Sequence, residues 1–231
     1  MNEIWRFDTL SSWVRCGKLI AGRRCQSVTA VGANLYILGG YTRSEPGAVA
    51  SLYSIEQFNT LTNRCHQVGR LAHAVVFAAS VAVRSCIYLF GGPYSVDREA
   101  IQMYDTAKQT CIVLRARLPH SLGLLRTVLF QSMVILVSRG TCLLFDLDVQ
   151  TWKPRPQFHT EVHHFGVALE NGTIYVIGGG TLAKGRWIGK DDIKSVSIRS
   201  IVEDQPALWV HHAKLDQPRL IVGFGTLSLP I

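Results

Sequence analysis

The feature of this sequence that most constrains its fold is a short apolar run that occurs four times and ends, in three copies, on a glycine pair. The copies are residues 34–40, 86–92, 133–139 and 173–179. They consist mainly of Ile, Leu, Val, Tyr and Phe, which favour β-strands. A unit that recurs at roughly this length indicates an array in which no copy buries its apolar face alone.

The second half of each unit repeats as well. An aromatic residue followed by Asp or Asn precedes a Trp or Cys by six or seven residues. The four cases are Phe7-Asp8 before Trp13, Phe58-Asn59 before Cys65, Tyr104-Asp105 before Cys111, and Phe145-Asp146 before Trp152. Asp or Asn followed by Thr and other polar residues is typical of a tight turn. Each unit is therefore predicted to hold about four strands.

These doublets, aromatic residues and tryptophans resemble the kelch family of β-propellers. The resemblance covers nearly the whole chain and implies an all-β fold: a kelch-type β-propeller of four full blades plus one composite blade, either a short ring or a fragment of a six-bladed ring. The composite blade would pair the two chain ends, which removes free sheet edges. The single domain 1–231 would divide into 1–18, 19–71, 72–118, 119–158, 159–215 and 216–231.

Some positions depart from the pattern. Ser138-Arg139 replaces the third doublet, with nearly no loop after it, and Cys65 and Cys111 replace the expected Trp. The fourth unit has residues 193–198 in place of the aromatic-Asp step, followed by Trp209.

Composition favours a folded intracellular module. The sequence of 231 residues is 48% hydrophobic and has no apolar run long enough for a membrane span and no signal-peptide core. We therefore expect a cytoplasmic protein, with the nucleus as the alternative, that has no membrane partner.

The net charge of +8 comes from dispersed Lys and Arg. Because no basic run is interleaved with aromatic residues, we expect no nucleic-acid partner. Two accounts of the charge stay open: a solvated basic surface, or a surface that binds an acidic protein or peptide.

The kelch resemblance implies where a partner would bind. In peptide-binding kelch domains the contacts come from an Arg before the first strand, the residue after the glycine pair, and a Ser opening the third strand. Position by position these are Arg24, Tyr41 and Ser51 in the first unit and Arg219 in the composite blade. Elsewhere the Arg position holds Val75 or Val76, Gly123 and His163.

Further loop residues are candidates because Arg and aromatic side chains often anchor interfaces. They are Arg43, Tyr94, Arg98, Lys184, Arg186 and Trp187. Residues 178–187 are predicted to form a long flexible loop, in which Trp187 either contacts a partner or folds onto its own blade.

The sequence predicts no catalytic residue, metal or cofactor. Its six cysteines are expected to be buried free thiols, although Arg23 and Arg24 beside Cys25 would lower the pKa of that thiol and favour a redox role. In the pairs His163-His164 and His211-His212, neighbours in a strand should point to opposite faces, which disfavours shared metal binding.

By resemblance, the chain is a non-enzymatic protein-interaction module, the substrate-recognition propeller of a cullin-3 ubiquitin ligase adaptor. Cullin-3 would bind through domains that these 231 residues do not contain. The alternative is an actin-associated or scaffolding kelch protein, and a weaker third hypothesis is a copper oxidase with kelch-like repeats.

Overall fold

The structure is a computed structural model that describes residues 2–8, 12–45, 48–138, 141–153, 162–203, 205, 206 and 208–218. Its contacts divide the chain into two compact units, Met1–Leu122 and Gly123–Ile231. Both units are built from antiparallel sheets, which confirms the all-β class and the four full blades.

The first unit begins with a two-stranded sheet and continues with two four-stranded sheets. The two-stranded sheet pairs β1 (Glu3–Asp8) with β2 (Ser12–Lys18). The first four-stranded sheet has the order β3-β4-β7-β8: β3 (Ser27–Val31), β4 (Asn34–Leu38), β7 (Ser54–Asn59) and β8 (Arg64–Arg70). A separate hairpin, β5 (Tyr41–Glu45) with β6 (Ala48–Ser51), connects its second and third strands.

The second four-stranded sheet of this unit is a simple meander. Its strands are β9 (Ala79–Val83), β10 (Cys86–Phe90), β11 (Ala100–Asp105) and β12 (Thr110–Arg117).

The second unit repeats the arrangement. Its first sheet contains β13 (Arg126–Phe130), β14 (Met133–Ser138), β15 (Thr141–Asp146) and β16 (Thr151–Lys153). Its second sheet contains β17 (Gly166–Glu170), β18 (Thr173–Ile177), β21 (Ile193–Ser197) and β22 (Val210–His211), with the hairpin β19 (Gly180–Ala183) and β20 (Arg186–Gly189) between its second and third strands. A helix, α1 (Ile198–Val202), follows β21 where the sequence indicated only strands.

The strand register explains the repeated aromatic residue. Phe58 lies opposite Cys65, Tyr104 opposite Cys111, and Phe145 opposite Trp152. Where the partner is Trp the two rings are in contact: those of Phe145 and Trp152 are tilted with centroids 4.8 Å apart, and those of Phe7 and Trp13 meet edge to face at 5.4 Å. The smaller cysteines therefore sit at the same register position as the tryptophans.

The predicted turns after the aromatic strands are confirmed. Oδ1 of Asn59 accepts hydrogen bonds from the backbone N–H groups of Leu61 (3.0 Å) and Thr62 (2.9 Å). Oδ1 of Asp105 accepts from the backbone of Lys108 (3.1 Å), a bond that helps to lower the pKa of that carboxyl group. Such side-chain bonds fix the turn that joins the third and fourth strands.

The core follows the repeat. In the first unit Leu38, Ile55, Ile87 and Tyr104 are fully buried and belong to one cluster. In the second unit all six residues of β14 are buried, and Trp209 packs against the core cluster of that unit. Burial of these apolar side chains is the main favourable term in folding.

Glycine is required where the doublets meet the start of a unit. A Cβ on Gly40 would lie 2.6 Å from the carbonyl oxygen of Arg24, and one on Gly179 would lie 2.7 Å from that of His163. Both glycines have positive φ, which a residue with a Cβ adopts only with strain. Where a doublet is present, it therefore lets the segment that enters the blade lie directly against the end of the second strand of that blade.

The proposed composite blade depends on residues 219–231, so its pairing with the N-terminal strands lies outside the described residues. The prediction that Ser51 opens the third strand is wrong: Ser51 ends β6, and Ser54 opens β7, because an extra hairpin occupies the connection.

Candidate partner-binding surface

A buried ion pair fixes the segment that precedes the first blade. The side chains of Arg23 and Glu56 are 0% and 1% exposed and form a salt bridge. Arg23 also donates to the carbonyl oxygens of Gly39 (3.0 Å) and Ser54 (3.2 Å). Glu56 accepts from the backbone N–H groups of Ile20 (2.7 Å) and Ala21 (3.0 Å). A buried charge pair needs such additional bonds to offset its loss of hydration.

In the second blade an uncharged side chain holds the entering segment. Gln102 occupies the place of Glu56, two residues before the aromatic position, and its amide accepts from His73 N–H (2.9 Å) and donates to His73 C=O (3.0 Å). The equivalence shows that the position serves to hold the entering segment, whichever polar side chain fills it.

Arg23 and Arg24 have opposite roles. Because neighbouring residues of an extended segment point to opposite sides, burial of Arg23 places Arg24 on the surface, where it is exposed. The backbones of Arg24 and Tyr41 pair through two hydrogen bonds of 2.9 Å. Two residues that the sequence proposed as partner contacts therefore lie side by side.

A connected surface extends from this pair, and we call it the first-unit rim: Arg24, Cys25, Tyr41, Phe77 and Tyr94. The Tyr41 side chain lies near enough to the Cys25 thiol to favour its thiolate form. The carbonyl of Cys25 accepts from Phe77 N–H (2.9 Å), and the rings of Phe77 and Tyr94 are 6.0 Å apart. Tyr94 is 68% exposed, so the rim presents aromatic and cationic groups together.

The redox alternative for Cys25 required a lowered thiol pKa, and the environment of the thiol does not support it. Burial raises the pKa of this thiol, and this effect outweighs the opposing effects of Tyr41 and of Arg24. A raised pKa reduces the thiolate fraction near neutral pH and disfavours a redox role.

The remaining candidates of the first unit surround the rim. Ser51 is exposed and lies opposite Tyr41 across the β5–β6 hairpin, while Arg43 is exposed and lies opposite Val49. Arg98 is exposed in the loop after the second doublet. Val76 is buried, so the Arg position of the second blade offers no side chain to a partner.

In the second unit, the segment predicted to be a flexible loop is an ordered hairpin. Trp187 in β20 lies opposite Leu182 in β19, and Arg186 lies opposite Ala183. The Trp187 ring contacts two imidazoles edge to face, with centroid distances of 5.2 Å to His163 and 4.9 Å to His164. Trp187 nevertheless stays 42% exposed, so it packs on its own unit and remains accessible.

The two histidines do not point to opposite faces, contrary to the expectation for a strand. His164 has a φ of 54°, in the left-handed region, which turns its ring to the same side as that of His163. Cys25 and Phe77 have the same conformation at the same place, two residues before the first strand of their blades. His163 itself pairs with Gly180 as Arg24 pairs with Tyr41.

We call the group formed by His163, His164, Leu182, Arg186 and Trp187 the second-unit rim. Burial lowers the pKa of His164, and the positive charge of Arg126 and the neighbouring His163 lower it further. Arg126, whose own pKa is lowered by burial, donates to the carbonyl oxygen of Phe165 (3.1 Å).

Sequence reasoning missed Phe77 and His164 as members of these surfaces. Their signal was their offset of two residues from the first strand, which they share with Cys25. Gly123 is exposed at the start of the third blade, and Arg219 lies outside the described residues.

Within the part of the chain that the structure describes, no cluster of three or more His, Cys, Asp or Glu could hold a metal ion. Among the same residues, no helix is long and apolar enough to span a membrane.

The family model described as the kelch motif matches residues 22–72, the segment that contains the Arg23–Glu56 pair and the first doublet. The kelch resemblance is confirmed. Kelch-like protein 23 is 22% identical over 195 residues in both Mus musculus and Homo sapiens, covering 81% of this chain. Kelch-like protein 25 of Xenopus tropicalis is 21% identical over 194 residues.

The match spans about a third of these relatives, 34% of Kelch-like protein 23 and 32% of Kelch-like protein 25. A solved structure titled "Structure of YjhT" superposes on 95% of this chain and 80% of its own, with a TM-score of 0.78 at 12% identity, and so shares the fold. Kelch repeats, kelch-like relatives and exposed aromatic rims together support a protein-interaction propeller.

Proposed function

We propose that this chain recognises a protein substrate for a cullin-3 ubiquitin ligase and has no catalytic role of its own. Each rim, taken by itself, is a candidate recognition surface. Cullin-3 would bind through domains outside the sequence described here, as the kelch resemblance implies. The propeller then supplies affinity and orientation, while other subunits perform the chemistry.

The observation that carries the proposal is the composition of the first-unit rim. Arg24 and Tyr41 are held together by backbone hydrogen bonds beside the first glycine doublet, and Tyr94 is exposed after the second. Such side chains supply a large share of binding energy in protein interfaces. The buried Arg23–Glu56 pair holds this backbone from below, so little ordering is needed on binding.

The test is affinity purification of the full-length gene product from cells, with bound proteins quantified by mass spectrometry. Wild type should recover cullin-3 and a set of substrates. Arg24→Glu should retain cullin-3 and lose substrates, because it reverses the exposed charge of the rim. The matched control is Arg64→Glu, an exposed Arg at the opposite end of the same sheet, after the turn between the third and fourth strands.

Absence of cullin-3 from the wild-type preparation would contradict the adaptor role. A substrate set unchanged by Arg24→Glu would contradict the placement of the site. Co-sedimentation with filamentous actin, without cullin-3, would support the scaffolding alternative instead.

A further inference from the structure

The β19–β20 hairpin exposes apolar side chains that its own unit does not cover. Leu182 and Trp187 are cross-strand partners, 57% and 42% exposed, and Ile188 is 50% exposed. Lys184 at the turn and Arg186 in β20 are also exposed. An apolar pair bordered by cations is complementary to a segment that carries an apolar side chain and carboxylates.

We propose that the second-unit rim binds an acidic protein segment with an apolar anchor, and that the His163–His164 pair makes this binding stronger at mildly acidic pH. This inference rests on the proposed recognition function and specifies the chemistry of the partner. The occupant follows from charge complementarity, since Lys184 and Arg186 border the apolar pair and the chain carries a net charge of +8.

The proton link follows from the position of the imidazoles. Both rings lie against Trp187, so a partner side chain that contacts the exposed part of this indole comes close to them. The charged groups that act on His164 are Arg126 at the start of β13 and His163 beside it, and both disfavour the imidazolium form. A carboxylate from the partner acts in the opposite direction and favours that form.

The direction in which affinity changes with pH follows from these charges. In the free protein the pKa of His164 is below its usual value, and in the complex it is higher, so binding takes up protons. Affinity therefore rises as the pH falls through the pKa of the complex and levels off below that of the free protein. Glu and Asp of the partner remain ionised down to about pH 5, which leaves a window between about pH 7.5 and 5.5.

The probe is a displayed library of random twelve-residue peptides, selected on the whole chain at pH 5.5. Enriched peptides should combine Asp or Glu with an aromatic residue or Leu. Their affinity, measured by fluorescence anisotropy, should fall at least about tenfold with Trp187→Ser, because it removes the central aromatic contact. Val149→Ser is the control, since Val149 is an exposed apolar residue at the opposite end of a sheet of the same unit.

The pH arm compares wild type with a His163→Asn/His164→Asn variant. Asn accepts the left-handed conformation that position 164 requires, so the backbone is retained. Wild type should bind about three- to tenfold more tightly at pH 5.5 than at pH 7.5, and the ratio for the variant should fall below about twofold. Circular dichroism checks that the variant is folded.

Peptides without acidic residues, or binding unaffected by Trp187→Ser, would overturn the docking surface. Binding that depends on Trp187 but keeps its full pH ratio in the double Asn variant would overturn the proton link alone. Either failure is distinct from failure of the adaptor role, which the recovery of cullin-3 measures separately.

Discussion

The buried pair of Arg23 and Glu56 allows the role of the entering segment to be tested by mutation. Arg23→Met removes the cation and its bonds to the backbone of the second and third strands. Among the residues that the structure describes, the donors that remain for the Glu56 carboxylate, which is 1% exposed, are the N–H groups of Ile20 and Ala21 and the thiol of Cys65. Removing one partner of a buried pair costs about 3–5 kcal/mol, because a charge remains without compensation.

For a chain of this size, that loss lowers Tm by roughly 10 °C. The assay is thermal and urea unfolding followed by tryptophan fluorescence. Arg24→Met is the matched control: the residue is adjacent and exposed, so its replacement should change the free energy of unfolding by less than about 0.5 kcal/mol. A second comparison is Arg23→Met/Glu56→Gln, which imitates Gln102 in the next blade and should recover at least half of the loss.

Equal stability of Arg23→Met and Arg24→Met would refute this reasoning, because it would mean that the pair does not hold the segment. A double variant no more stable than Arg23→Met would refute the specific claim that the unpaired carboxylate causes the loss.

Three further predictions follow from local geometry. Gly40→Ala should destabilise the protein by more than about 2 kcal/mol, because the added Cβ would meet the carbonyl oxygen of Arg24. The control is Gly32→Ala, where a Cβ would have nothing within 4 Å and should cost only the left-handed backbone strain of about 1–2 kcal/mol. Equal losses of stability in urea unfolding would contradict the close approach at Gly40. Burial raises the pKa of Tyr104 to about 12. In a titration followed by tyrosinate absorbance, Tyr104→Phe should therefore lose a transition near pH 12 that wild type shows. Identical titration curves for the two proteins would contradict this. Burial and the neighbouring Glu56 raise the pKa of the Cys65 thiol to about 11. Iodoacetamide at neutral pH should therefore label Cys65 more slowly in the folded chain than in the urea-unfolded chain. Equal labelling rates would contradict this prediction.

Much of the fold could be predicted because the residues that define each repeat interact with partners close to them in the sequence. Phe58, Tyr104 and Phe145 occupy one register position, and Asn59 and Asp105 close the turns by bonds to residues two and three further on. Such interactions depend on short sequence separations, and a pattern of residue types records them.

The surfaces were predicted less well because they depend on contacts between distant segments. Trp187 meets His163 and His164 only through a hairpin whose register the sequence did not reveal, and only because His164 is left-handed. Arg23 and Arg24 look alike in the sequence, and the buried Glu56 determines which of them is available to a partner. The direction of the Cys25 pKa shift could not be predicted for a similar reason, since the basic neighbours Arg23 and Arg24 are visible in the sequence and the burial of the thiol is not.

We infer that the chain acts by binding a protein through its rims. The most direct test is quantitative cross-linking mass spectrometry of the full-length protein in cells. We expect partner peptides to cross-link near Arg24, Tyr94 and Trp187, and the double variant Arg24→Glu/Trp187→Ser to lose these cross-links. Partner cross-links concentrated instead near Leu61 and Lys108, in the turns at the opposite ends of the first-unit sheets, would contradict this inference.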